Sequence, residues 1–135
     1  MRAQWRFHRF IWDLSGGRLG GRVLGMSVLE LVTRGHKSGQ QRRVLLTYVS
    51  TDNGPALAGT NTGAGSYPAW IKNLRANPRA RILVDGTWRE VEAVWVEGEE
   101  HEALWERFLH ADDGYAKYED MLERPIPIVV LQEPP

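Results

Sequence analysis

The chemistry of this 135-residue chain gathers in Gly35-His36-Lys37-Ser38-Gly39, followed closely by Arg42 and Arg43. Glycine accepts positive φ and lets a ligand approach the main chain, so a glycine at each end suits a tight reversal with accessible N–H groups. Lys37 and Arg42 supply charges that persist at neutral pH, and Ser38 adds a hydroxyl. A turn of this kind holds a phosphate or carboxylate without a P-loop. Taken alone, the same residues also read as the basic, soluble tip of a hairpin. A second glycine-bounded stretch, Gly59-Thr60-Asn61-Thr62-Gly63, follows one short strand later.

Other chemistries are thinly represented. The chain has no cysteine, which removes disulfides, thiolate metal sites and cysteine nucleophiles. Its four histidines (8, 36, 101 and 110) are scattered, so no metal site is expected. No nucleophile–base–acid arrangement stands out. Net charge is zero, yet residues 1–43 hold nine of 17 Lys and Arg against two acids, while residues 91–135 hold twelve of 17 Asp and Glu against three bases. That asymmetry marks an anion-seeking end. The basic half lacks the RRM, helix-turn-helix and zinc-knuckle patterns, so a small anionic ligand is expected and nucleic acid is not. No apolar run reaches the length of a membrane span and no signal peptide is evident, which points to the cytoplasm.

These residues need a scaffold, and the patterning supplies one. Residues 2–14 read as an amphipathic helix, with Phe7, Phe10, Ile11 and Leu14 opposite Arg2, Arg6 and Arg9. A basic face opposite Trp and Phe also suits a helix lying on the inner membrane surface, so peripheral lipid contact is a second expectation beside packing. Glycine-rich Ser15–Gly25 reads as a loop. Strands are expected near 27–34, 42–50 and 55–60, with a turn at Asp52-Asn53-Gly54. A helix runs from Tyr67-Pro68 to Asn77-Pro78. A second hairpin, 79–85 and 87–96, turns at Asp85-Gly86. Helices near 99–110 and 113–122 precede a terminal strand at 125–131. One domain over residues 1–135 follows, an α+β domain of about six mostly antiparallel strands around a small barrel, with three or four flanking helices.

Four pieces in order, Gly35-His-Lys-Ser-Gly39 with Arg42, Asn61-Thr-Gly63, Pro68-Ala-Trp70-x-x-Asn73-Leu-x-Ala-Asn-Pro78 and Arg124-x-Ile-Pro-Ile-Val-Val, resemble the deazaflavin-dependent nitroreductase family. These are split β-barrel oxidoreductases that use coenzyme F-420 and are related in fold to the flavin-binding pyridoxamine phosphate oxidases. The resemblance implies a ligand with a deazaflavin ring, a ribityl chain, a phosphate and a glutamyl tail, with FMN as the second-ranked cofactor. It implies hydride transfer from the reduced coenzyme to a small electron-poor acceptor: a quinone, an activated enone or a nitroaromatic. A carrier that holds the deazaflavin without fast turnover is the alternative. Monomer and homodimer are both compatible with it.

By the same resemblance, Lys37, Ser38 and Arg42 contact the phosphate, and His36 stands where many relatives carry Arg. The ring is expected against Leu45, Leu46 and Thr47 of one strand, Ala58, Thr60 and Asn61 of the next, and Ala69, Trp70 and Asn73 of the helix. Trp70 also reads as an ordinary core residue, and Asn73 as a cap or turn former. Thr60, through its hydroxyl or backbone N–H, and Tyr115 and Tyr118 are expected to donate to the acceptor oxygen as negative charge builds there. Both tyrosines also read as packing residues. Tyr67, Trp5, Phe7 and Trp12 are further candidates for the wall of an acceptor pocket.

Overall fold

A computed structural model describes residues 22–23 and 26–135; the helix expected at 2–14, with Trp5, Phe7 and Trp12, lies outside them. The chain runs β1 (Arg22–Val23), β2 (Met26–Arg34), β3 (Gln41–Thr51), β4 (Gly54–Ala58), a 3-10 turn (Asn61–Gly63), α1 (Ala69–Ala76), β5 (Arg79–Val84), β6 (Thr87–Val96), α2 (Gly98–Ala111), α3 (Gly114–Met121) and β7 (Ile128–Gln132). β1 falls within the stretch expected to be loop. It is two residues long and pairs Val23 with Met26, a reversal that glycine punctuation does not distinguish from coil.

The sheet order is β1-β2-β3-β4-β7-β6-β5, and every pairing is antiparallel. β2 pairs a second time, with β5, through Glu30↔Leu83, Leu31↔Ile82 and Val32↔Arg81. β2 to β7 thereby close into a six-stranded barrel, which satisfies the edges an open sheet would leave bare. Local chemistry sets the strand ends. Pro125 and Pro127 have no N–H to give a ladder, so β7 starts at Ile128 rather than 125. β4 stops at Ala58 because Gly59 N–H turns to the Pro127 carbonyl and Thr60 N–H to the Ala58 carbonyl. Asp85 and Gly86 both have positive φ (51° and 77°), the requirement of a type I′ hairpin turn.

Alternation along the strands sorts side chains into two layers. Leu29, Leu31, Leu57, Ile82, Val91, Ala93, Val129 and Leu131 face one cluster, joined by Trp70, Ile71 and Leu74 of α1. Full burial of Ile71 and Leu74 contributes roughly 1.5–3 kcal/mol each, enough to fix α1 on the barrel. The opposite faces of β3, β4 and β7 (Val49, Ala56, Ile128, Val130) lie under Leu104, Trp105 and Phe108 of α2 and Tyr115 of α3. α1 therefore carries the residues beside the basic turn, and α3 those beside the second glycine-bounded loop.

Candidate active site

The basic turn links β2 to β3 and is closed by Gly39 N–H on the Gly35 carbonyl (2.8 Å) and Gly35 N–H on the Gln40 carbonyl (2.7 Å). Gly39 has φ 73°, and a Cβ on Gly35 would lie 2.9 Å from Ser38 Oγ and 3.2 Å from the Gln40 carbonyl oxygen. Glycine is required at both places. Gln40 N–H donates to Ser38 Oγ (3.2 Å), and Arg42 Nη2 approaches the same oxygen at 3.5 Å. Among the described residues, the backbone N–H groups of Lys37 and Ser38 have no protein acceptor, and neither Lys37 nor Arg42 forms a salt bridge. The side chains of Lys37, Ser38 and Arg42 are all exposed. Two free N–H groups beside two fixed cations make an anion cradle.

The neighbouring arginine behaves differently. Arg43 grips Glu30 through Nε (2.7 Å) and Nη2 (3.0 Å), a bidentate pair with a carboxylate only 2% exposed. Glu30 sits where β2 pairs with both β3 and β5, so Arg43 serves the barrel closure.

His36 ties the turn to α1. Its backbone N–H donates to Asn73 Oδ1 (2.9 Å) and its Nδ1 lies 2.7 Å from the same oxygen. Asn73 Nδ2 in turn donates to Thr33 Oγ1 (3.0 Å). With Oδ1 as acceptor, Nδ1 is the protonated ring nitrogen, and Nε2 is the one left for a ligand. Asn73 and Thr33 are 2% and 3% exposed.

The expected ring wall divides between the two layers. Leu46 and Trp70 belong to the barrel-interior cluster, which favours the core reading of Trp70. Leu45 and Thr47 point the other way: Leu45 packs with Val28 and Leu83, and Thr47 reaches α3. The register Val49↔Ala56, carried two residues on, sets Ala58 across from Thr47 on that outer face. Thr47 is five residues from Arg42, about 17 Å at a rise of about 3.3 Å per residue. The separation is odd, so the Arg42 side chain leaves β3 on the face opposite Thr47, and the strand joins the turn to the hydroxyl-bearing wall only through its backbone. Ala69 is exposed.

At that wall Thr47 Oγ1 and Tyr115 Oη are 2.8 Å apart. Tyr115 is held edge-on by Trp105 (5.9 Å), Phe108 (5.1 Å) and Tyr118 (5.9 Å between ring centroids). Burial raises the Tyr115 pKa above its ordinary value; the Thr47 hydrogen bond opposes this, and Asp112 and Tyr118 add to it. Tyr115 is therefore a neutral hydroxyl group with a partner. Tyr118 is half-buried and lies with Met121 against Gly63, whose φ is 86° and whose added Cβ would meet Met121 Cε at 2.9 Å and Tyr118 Cδ1 at 3.4 Å. Because Thr60 N–H is bonded to Ala58 O (3.0 Å), only its hydroxyl is left for a ligand. Asn61 Nδ2 donates to Ser66 O (3.1 Å), inside the loop.

One residue of this region went unremarked in the sequence except as part of a motif. Arg124 donates to the carbonyls of Gly59 (3.0 Å), Thr60 (3.2 Å), Ala64 (3.2 Å), Gly65 (2.9 Å) and Ser66 (3.2 Å). Its guanidinium also lies 4.5 Å from the Tyr67 ring centroid, with Arg75 at 4.9 Å from the same ring. Nothing local to Arg124 in the sequence announces a loop some sixty residues upstream as its partner.

The closed antiparallel barrel, with a cationic turn at one hairpin and helices on its outer wall, defines a split-barrel protein. The F-420H2-dependent quinone reductase family model matches residues 4–133, and the chain belongs to that family. An F-420H2-dependent quinone reductase of Mycobacterium tuberculosis strain H37Rv is 32% identical over 130 residues, covering 93% of this chain and 87% of the relative. A solved domain-swapped dimer superposes with a TM-score of 0.74 at 28% identity, over 98% of this chain and all of the other. A solved F-420H2-dependent reductase gives 0.71 at 29% identity, over 78% and 93%. The protein is an oxidoreductase whose cofactor is coenzyme F-420, as the motifs imply.

Proposed function

We propose that the protein reduces a quinone-type acceptor with F-420H2 bound along β3, its phosphate and glutamyl carboxylates on the turn and its ring toward Thr47 and Ala58. When bound, the reduced coenzyme supplies a hydride to the acceptor carbon framework. Lys37, Arg42, Ser38 Oγ and the free N–H groups of Lys37 and Ser38 hold the anionic end with donors that keep their charge. The observation that carries the reading is this set of cations, without carboxylate partners among the described residues, beside an open turn.

Ala58 offers the ring an apolar surface, and Thr47 fixes Tyr115 in one orientation. Tyr118 of α3 and the Thr60 hydroxyl of the adjoining loop hydrogen-bond the acceptor oxygen in this reading as it gains charge. Tyr115 supports them by packing against the Tyr118 ring. Arg124 holds the loop that carries Thr60.

Titration with the coenzyme tests the anchoring. Lys37→Ala and Arg42→Ala are each expected to weaken binding by about 1–3 kcal/mol, the range for losing one charged hydrogen-bond partner. Unchanged affinity in both removes the phosphate assignment. Oxidation of F-420H2 by menadione no faster with the protein than in buffer would identify a carrier instead.

We infer a homodimer by analogy with the domain-swapped neighbour, to be checked by light scattering on the eluting protein. Among the described residues no helix is long and apolar enough to cross a membrane. Co-sedimentation with anionic vesicles, lost on deleting residues 2–14, tests the peripheral contact proposed for that segment.

A further inference from the structure

We propose that Asn73 is a positioning residue for the anion cradle: it sets affinity for the charged end of the coenzyme through His36, and makes no contact of its own with the ring. The inference rests on the reading that the turn holds the phosphate. Three hydrogen bonds keep the turn in shape from within, Gly35 N–H to Gln40 O, Gly39 N–H to Gly35 O and Gln40 N–H to Ser38 Oγ. The β2–β3 ladder, paired up to Arg34↔Gln41, holds the two ends of the turn on the barrel. Its tip is held by His36, whose N–H and Nδ1 both meet Asn73 Oδ1 at 2.9 and 2.7 Å.

The amide is itself held. Nδ2 donates to Thr33 Oγ1 at 3.0 Å, so an amide flip would set the oxygen against Thr33 and two N–H groups against the His36 donors. α1 is in turn fixed by the full burial of Ile71 and Leu74 on either side of Asn73 in sequence. The chain of constraint runs from the barrel core through α1 and Asn73 to His36, and so to Lys37 and Ser38, whose N–H groups have no protein acceptor among the described residues. Asn73 is 2% exposed and its oxygen is engaged twice. A side chain so enclosed acts on a ligand by placing the groups that touch it.

The test compares two ligands on the intact protein: oxidised coenzyme F-420, and its deazaflavin–ribityl fragment, which lacks phosphate and glutamates. Asn73→Ala is expected to weaken the whole coenzyme roughly tenfold, the scale for losing one such positioning interaction, and to leave the fragment within about twofold. Thr33→Val removes only the brace on the amide and is expected to act in the same sense by about threefold, which keeps the proposal testable if Asn73→Ala does not fold. Lys37→Ala serves as the reference. If it and Arg42→Ala both leave the whole coenzyme unaffected, the phosphate assignment itself fails. If Lys37→Ala weakens only the whole coenzyme while Asn73→Ala or Thr33→Val weakens both ligands equally, the assignment stands and the positioning role is overturned. If wild-type affinity for the fragment is too low to measure, inorganic phosphate replaces it. Amide shifts of Lys37 and Ser38 on phosphate titration should then appear in the wild type and shrink in Thr33→Val; equal shifts in both would also overturn the proposal.

Discussion

The two glycine-bounded loops use arginine and lysine in opposite ways. In Gly35–Gly39 the cations stand exposed, two backbone N–H groups have no protein acceptor among the described residues, and the internal hydrogen bonds shape the turn without neutralising it. In Gly59–Ser66 the cation comes from about sixty residues away, and Arg124 is engaged by five carbonyl oxygens of the loop, by the Pro125 carbonyl and by a tyrosine face. The first loop, in the proposed function, receives charge from outside, and the second is tied down by charge from inside. Arg42 and Arg43 repeat the contrast within one strand: one is unpaired, the other clamps a buried glutamate where the barrel closes. Whether a basic residue binds a ligand or builds the protein depends on what already occupies its donors, and residue type does not reveal that.

The widest separation between the loops should come from Arg124→Ala. It leaves five carbonyls of one loop without their donor and removes a cation from the Tyr67 ring. Losing a charged hydrogen-bond hub of this kind is expected to cost about 3 kcal/mol of folding stability, read as a shift in the urea midpoint at constant slope. Activity lost on top of this should appear in kcat with acceptor rather than in coenzyme affinity, because the loop carries Thr60 and not the cradle. A loss below about 1 kcal/mol would mean that water replaces the guanidinium and that the loop holds itself.

The same contrast explains what was legible in the chain. Strand and helix positions followed from periodicity, and Asp85-Gly86 and Pro68 marked their ends by backbone chemistry that acts over a few residues. The cradle was legible because its parts are contiguous: glycines, Lys37, Ser38 and Arg42 all fall within eight residues. Closure of β2 on β5 was not legible, since Glu30↔Leu83 pairing depends on the registers of every strand between them. The expected ring wall failed to stay together for a simpler reason. Leu45, Leu46 and Thr47 are consecutive, and a strand sends consecutive side chains to opposite faces, so Leu46 lies in the interior while its neighbours lie outside. His36–Asn73 and Arg124–Thr60 join residues 37 and 64 positions apart, and no local pattern encodes such pairs.

A smaller effect sharpens the picture at the wall between the loops. Tyr115 has a folded-state pKa above its unfolded value of about 10, chiefly because it is buried. Both states are protonated below that value, so the neutral hydroxyl's contribution is fully present there. As pH rises past about 10 the unfolded chain ionises first, and stability is lost until the folded-state pKa is passed. Tyr115→Phe should cost about 1 kcal/mol at neutral pH, the net worth of the Thr47 hydrogen bond, and should lose stability less steeply between pH 9.5 and 11. Parallel Tm–pH curves for the two proteins would show that Tyr115 titrates as it does in the unfolded chain.

The smallest expected change is the most telling for the cradle. Lys37→Ala removes an exposed ammonium with no carboxylate partner among the described residues, so stability without ligand should stay within about 0.5 kcal/mol of the parent. Stabilisation by added coenzyme should fall in step with the weakened affinity, because a ligand that binds only the folded state raises stability by RT ln(1 + [L]/Kd). A binding cation is silent in the absence of its ligand, whereas a building cation such as Arg124 is not. If Lys37→Ala destabilised the ligand-free protein as much as Arg124→Ala, both loops would be structural and the open turn would lose its reason to be cationic.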